Sequence, residues 1–395
     1  MSHVMNTYAR QPVAFVRGEG VWLWDEAGKK YLDALAGIAV NTLGYGHSKL
    51  KKALLERIES GVLHTSNLWR IPAQEKAADR VAEITGLEEV FFCNSGLEAN
   101  EAAIKVARKY GHERGIAEPA IVVMEKAFHG RSLATLSATG SRKVQAGFEP
   151  LVSGFVRVPL NDLDAVRQLA EHNRNVAAVM VEPIQGEGGI NLARLEYLRG
   201  LKEICERQQW LFISDEVQCG LGRTGKWFVY QHAGFLPDVV PLAKGLGSGV
   251  PVGACVAGGL AKGVFKPGNH GSTFGGNPLA MTAVVATLDA IDEEGLLANA
   301  ARAGSLIQES LMGEIGRLHG VTEIRGMGLM IGIELERPCG ELVKQALDAG
   351  LVINVTADSV IRMLPPLVMN EAQAREVVGR LVPLVKAFLE KRAAA

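Results

Sequence analysis

A lysine stands in the run Leu242-Ala243-Lys244-Gly245-Leu246-Gly247, between an apolar stretch and a glycine-rich one. A lysine next to apolar sequence is commonly a surface residue whose stem lies along the apolar face. Glycines at 245, 247 and 249 would equally let the backbone crowd a ligand. A lysine partly desolvated there has its ammonium form disfavoured and becomes a nucleophilic amine at neutral pH. Spacing alone leaves both readings open. Three further runs have side chains of the right type for chemistry. Asn94-Ser95-Gly96-Leu97-Glu98 places small polar residues where a strand meets a helix. Such a turn offers backbone N–H groups and the positive helix end to a phosphate, or it is an ordinary N-cap. It is not a Walker loop, since Gly-Lys-Ser/Thr is missing. Ser214-Asp215-Glu216-Val217-Gln218 sets adjacent acids at a strand end, suited to metal binding, to acid–base work or simply to solvent. Phe128-His129-Gly130-Arg131 is either core with a satisfied histidine or a ligand-facing loop.

The elements that must position these runs are strands and helices in alternation from about residue 50. Short apolar, β-branched stretches recur at 90–93, 121–124, 177–181, 210–213 and 239–242, and helices over 98–110 and 194–208 separate several of them. Continuously apolar strands between amphipathic helices predict an α/β fold, its mostly parallel sheet covered on both faces. All four runs sit at or just after strand ends, where such sheets bind ligands. Residues 21–24 and 30–33 flank the turn-like Asp25-Glu26-Ala27-Gly28 and predict a hairpin. Past about residue 286 the pattern turns to helices with a few strands. Gly220-Leu221-Gly222-Arg223-Thr224-Gly225 matches the dinucleotide fingerprint, with Asp238 at the spacing of a ribose-binding acid. Its context fails, because a segment with two acids separates it from the strand and the required helix would meet Pro237 early.

Composition narrows the class further. The 395 residues are 48% hydrophobic and 22% charged, ordinary for a globular enzyme of two or three domains. A formal charge of −1 gives no electrostatic case for a nucleic-acid or membrane partner. The five cysteines are odd in number, widely spaced and without a CxxC pair. They predict neither a disulfide framework nor a zinc or other metal site, and fit a reducing cytoplasm. The amino end has no apolar signal region, and no apolar run approaches the length of a membrane span.

Together the runs CNSGLEANEAAIK (93–105), FHGR (128–131), VEPIQGEGG (181–189), ISDEVQCGLGRTG (213–225), AKGLGSGVPVGA (243–254) and GSTFGGNPLA (271–280) resemble the class III aminotransferases of the fold-type I group. The likeness extends to YLDALAGIAVNTLGYGH (31–47) and RMLPPL (362–367), so it covers essentially the whole chain. The resemblance implies pyridoxal 5′-phosphate as cofactor, held covalently by Lys244, with Asp215 paired to its ring nitrogen. It implies Gln218 near the ring hydroxyl, Phe128 stacked on the ring, Ser95 and Gly96 on the phosphate, and Glu216 and Val217 beside them. Thr273 would reach the cofactor phosphate of a second copy in a homodimer, and Ser272 would lie near the substrate. Arg131 would bind the donor's α-carboxylate and Arg362 that of glutamate. Glu187 would pair with Arg362 while the donor is bound. A large cofactor-binding domain over 47–285 is expected, with a small domain from 1–46 and 286–395. The reaction implied is transfer of the δ-amino group of N2-acetyl-L-ornithine to 2-oxoglutarate, a step of arginine biosynthesis. Succinylornithine, ornithine, 4-aminobutyrate and acyl-lysine are alternative donors, and a cofactor-bound mutase is an alternative class. Gly44-Tyr45-Gly46-His47-Ser48 lacks the family's second histidine and proline, Leu97 replaces a smaller residue, and Cys219 stands where threonine is usual.

Overall fold

The computed structural model describes residues 3–391. A seven-stranded sheet runs, edge to edge, through Glu89–Cys93, Gly253–Ala257, Val239–Leu242, Leu211–Ser214, Val176–Val181, Ala120–Met124 and Phe155–Val158. Six strands are mutually parallel, and Gly253–Ala257 alone runs antiparallel to both of its neighbours. The five apolar runs read from the sequence are all strands here. The antiparallel strand was not expected, because Gly-Ala-Cys-Val-Ala follows a glycine-rich stretch and has one β-branched residue, Val256. Its first residue has a physical reason to be small: a Cβ on Gly253 would collide with the Ser95 carbonyl. Helices Gly96–Glu113 and Leu195–Gln208 bury one stripe each against the sheet, which leaves Ile121, Val179, Met180, Phe212 and Ile213 without solvent contact.

The hairpin also forms, as Trp22–Asp25 paired with Lys30–Asp33, and Phe15–Glu19 adds a third strand outside it. The Asp25 carboxylate accepts the N–H groups of Ala27 and Lys29, which closes the turn. Leu351–Val352 joins this sheet in parallel with Lys30–Asp33. Val21, Leu32 and Leu43 share one apolar cluster with Ile307, Leu311, Ile361, Val377 and Phe388. Residues from both chain ends are therefore packed together; residues 1–2 and 392–395 of the expected small domain lie outside the described residues.

Ala36, Gly37, Ile38 and Ala39 have φ of 51°, 63°, 67° and 61°. A left-handed turn of this kind costs about 1–2 kcal/mol for each residue that has a Cβ. It persists because the buried Asp33 carboxylate accepts from the N–H groups of Leu35 and Ala36 and from the Tyr45 hydroxyl. Strain held in this way is typical of ligand sites, and Val40, one residue on, lines the cavity described next. Among the described residues no helix is long and apolar enough to cross a membrane, no cysteines are bridged, and no group of side chains could hold a metal ion.

Candidate active site

The carboxyl ends of the sheet strands surround a cavity of about 360 Å³, lined among others by Ser95, Gly96, Phe128, Asp215, Gln218 and Lys244. Four runs far apart in sequence thus meet in one place. Ser95 caps helix Gly96–Glu113, its hydroxyl accepting from Glu98 N–H at 3.2 Å. The ordinary reading of that serine holds, and the turn still presents a helix start to the cavity. A Cβ at Gly96 would lie 2.6 Å from Val217 Cγ1, so only glycine lets this turn close against the Asp215 loop.

Lys244 follows strand Val239–Leu242 with φ of 44°, a second strained position at the cavity. Burial brings its ammonium down to about 8 and nearby Arg362 adds to the effect, while Glu187, Glu182 and Asp215 oppose it. Asp215 is buried on the floor. Its Oδ2 accepts from Asn100 Nδ2 at 2.8 Å and is 2.7 Å from His129 Nδ1, and its Oδ1 accepts from Val217 N–H at 3.1 Å. The two carboxylates read as a pair part company here. Side chains alternate sides along an extended segment, so Asp215 enters the cavity and Glu216 turns away. The Glu216 side chain accepts from the N–H groups of Val229 and Tyr230 and from the Cys219 thiol, capping a short helix. The side chain of Glu216, expected beside the cofactor, does not line the cavity. Cys219, a departure from the family pattern, serves as that carboxylate's buried partner.

Two residues here were not singled out from sequence. Glu182, at the end of strand Val176–Val181, accepts from the N–H groups of Phe128 at 2.7 Å and Gly186 at 3.3 Å. Burial pushes its carboxyl up from the usual range. Asn100 reaches Asp215 from the helix. The signal available for both was a polar residue at a position that the strand and helix patterns mark as buried.

A second cavity of about 1100 Å³ opens outward from the first and shares Phe128 and Arg131 with it. The Arg131 guanidinium lies 5.7 Å from the Phe128 ring centroid. Glu187 lines this outer space, and its carboxylate bonds Arg362 Nη1 at 2.5 Å. Arg362 is wholly buried; Nη1 also donates to Gln218 Oε1 at 3.1 Å and Nε to Asn354 Oδ1 at 3.1 Å, while Nη2 has no partner. Burial disfavours the Glu187 carboxylate, but Arg362, with Lys244 and Gln218 adding to it, holds that carboxyl below its usual range. Ser272 is tied to the segment just before the Ser95–Gly96 turn through Asn94 Nδ2 at 3.0 Å, and Thr273 is exposed. Neither lines the inner cavity. The Gly220–Gly225 turn leads to a helix of five residues, and Arg223 within it is buried against the backbone carbonyls of Leu329 and Pro365, which rules out a dinucleotide loop.

A buried amine, a carboxylate held by donors, a ring beside them and a helix start opening on one cavity are the parts that a pyridoxal phosphate enzyme of this sheet topology needs. The aminotransferase class-III family model matches residues 4–385, and the chain belongs to that family. It is a pyridoxal-phosphate-dependent transaminase. It is similar to the acetylornithine aminotransferase of Nitrosomonas europaea, 58% identical over 99% of this chain and 100% of that one. Among solved structures it is similar to the ornithine aminotransferase of Toxoplasma gondii, with TM-score 0.95, 33% identity and coverage of 98% and 94%. It is also similar to the acetylornithine aminotransferase of Elizabethkingia anophelis, with TM-score 0.88, 35% identity and coverage of 98% and 96%.

Proposed function

We propose that this chain transfers the δ-amino group of N2-acetyl-L-ornithine to 2-oxoglutarate, giving N-acetyl-L-glutamate 5-semialdehyde and L-glutamate in arginine biosynthesis. The names of its relatives support the donor, and one observation carries the reading: the buried Arg362 guanidinium neutralised by Glu187, with Nη2 unpartnered. The two substrates make opposite demands on that spot. The donor brings an amine flanked by methylenes, and a bare buried guanidinium beside them would be an uncompensated charge. 2-Oxoglutarate brings an α-carboxylate, which a planar guanidinium binds through two donors at once. Glu187 answers both by covering Arg362 for the donor and swinging into the outer cavity for the acceptor. Arg131, at the boundary of the two cavities, takes the donor's α-carboxylate.

Pyridoxal phosphate, held by Lys244, Asp215, Gln218, Phe128 and the Ser95–Gly96 turn, would carry the amino group between half-reactions while its ring acts as electron sink. Once freed, the Lys244 amine would take the proton from the substrate carbon and give it back, as general base and then acid. Asp215 would pair with the ring nitrogen. We also propose the division into a domain over 47–285 and a smaller one from 1–46 and 286–395, and a homodimer in which Thr273 reaches the partner's cofactor phosphate. Leu68, Trp69 and Phe274 are 86%, 72% and 61% exposed next to Thr273. Asn67 ties the segment before Leu68 to the Ser272 and Gly275 carbonyls. An apolar patch of this kind marks an interface, here with a second copy of the chain.

Omitting 2-oxoglutarate tests the reaction class. A transaminase yields one equivalent of semialdehyde per site and stops, whereas a mutase continues to turn over and would overturn the assignment. Glu187→Gln tests the gate. Its uncharged amide leaves Arg362 uncompensated, so kcat/KM for N-acetylornithine should fall about 10–100-fold, since charged hydrogen bonds of this kind contribute about 1.5–3 kcal/mol. The glutamate half-reaction, which needs Arg362 free, should change by less than about threefold. Equal losses in both half-reactions, measured by single-turnover absorbance, would contradict the gate.

A further inference from the structure

We infer that Asn100 is a positioning residue for the cofactor site, acting through Asp215. It lies in helix Gly96–Glu113, 2% exposed, on a face otherwise built from alanines and aliphatic residues. Asparagine is a poor residue for a helix interior, and a buried amide is costly wherever one of its atoms has no partner. Asn100 meets both conditions, since its Oδ1 is buried and unpartnered. Its amide nitrogen accounts for its presence: Nδ2 donates at 2.8 Å to Asp215 Oδ2 and at 2.8 Å to the His129 carbonyl.

These two bonds join three separate pieces of the site. The helix begins at the Ser95–Gly96 turn, the His129 loop bears Phe128 and Arg131, and Asp215 is the acid beneath them. One amide thus sets the acid relative to the stacking ring and the phosphate turn. Asp215 Oδ2, engaged by Asn100 and His129, is fixed in plane, and Oδ1 keeps acceptor capacity beyond its one bond from Val217 N–H. The titratable groups facing Asp215 are His129, Glu182, Glu216, Cys219 and Lys244. Of these, His129 shares Oδ2 with Asn100, and only Asn100 links that oxygen to the helix that starts at Ser95–Gly96.

The inference rests on Asp215 facing the cofactor nitrogen, as in the reading above. The test compares Asn100→Ala, Asn100→Ser and Asp215→Asn with the parent enzyme. Three quantities are measured: the dissociation constant of pyridoxal phosphate on reconstituting the apoprotein, kcat and KM of each half-reaction, and the melting temperature of the apoprotein. Asn100→Ala should weaken cofactor binding about tenfold and lower kcat about 10–100-fold in both half-reactions, with KM changed by less than about threefold. Asn100→Ser keeps one donor and should fall between, which also covers the case in which the alanine variant does not fold. If both variants lower only the melting temperature, leaving cofactor affinity and kcat unchanged, Asn100 is merely packing and the inference is wrong. If Asp215→Asn itself leaves the enzyme intact, the assignment of Asp215 fails instead.

Discussion

Replacing Lys244 with alanine should leave a protein that binds pyridoxal phosphate and transfers no amino group, with turnover down by at least about 10⁴-fold. Two functions leave together. One is the covalent anchor, and the other is the group that moves the proton from substrate to cofactor, a contribution of about 10²–10⁴-fold by itself. Binding survives because the Ser95–Gly96 turn, Asp215 and Gln218 do not depend on the lysine. The native amine has a pH signature as well. Burial brings its ammonium down to about 8, with Arg362 adding to the effect, so the nucleophilic form grows as pH rises through that value. Reconstitution of the parent apoprotein should therefore accelerate between pH 7 and 9 and level off above. Absorbance of the bound cofactor reads both effects. Turnover of Lys244→Ala within about tenfold of the parent would refute the assignment.

Asp215→Asn is expected to have the next largest effect, with kcat reduced about 10²–10⁴-fold in each half-reaction. Removing one partner of a buried charge pair costs about 3–5 kcal/mol, and the barrier arithmetic converts this to that range. The fold should persist, because an asparagine there adds no bulk and its one carbonyl oxygen still accepts from either Asn100 or Val217, which bond different oxygens of Asp215. Asp215→Glu keeps the charge but lengthens the side chain in a buried site, so it should recover only part of the rate. Single-turnover rates with N-acetylornithine and with glutamate measure the effect. A loss confined to one substrate would mean that Asp215 acts on that substrate and not on the cofactor.

The parts of this protein that could be read from sequence are those whose signal is local. Strands such as 177–181 declared themselves by unbroken apolar runs, and the hairpin by Asp25 and Gly28. Gly253–Ala257 did not, since it has a single β-branched residue and its first position, Gly253, answers to the Ser95 backbone, far away in sequence. The left-handed turn at Ala36–Ala39 was likewise hidden. Nothing in Ala-Gly-Ile-Ala requires it, and the residues that hold it are Asp33 and Tyr45. In the site, Lys244 and Asp215 were legible through their company of glycines and strand ends. The adjacent acids at 215 and 216 read alike on paper, whereas an extended chain sends them to opposite sides. Asn100 and Glu182 are tied to the site by bonds to residues 115 and 54 positions away, beyond the reach of any motif. The contact between Glu187 and Arg362 spans 175 residues, and it entered through family resemblance before the geometry gave it a distance.

The most direct test of the proposed reaction is the half-reaction of the cofactor-loaded protein with a panel of ω-amino acids. N-acetylornithine, succinylornithine, ornithine, 4-aminobutyrate and an N-acyl-lysine would be compared by following the absorbance of the bound cofactor in the absence of 2-oxoglutarate. N-acetylornithine should convert the cofactor to its amine form with the highest kcat/KM, and 2-oxoglutarate should restore it. One methyl or carboxyethyl group changes pocket fit by only about 1–3 kcal/mol, so succinylornithine should follow within about 10–200-fold. A higher kcat/KM for unacylated ornithine or for 4-aminobutyrate would contradict the proposed donor.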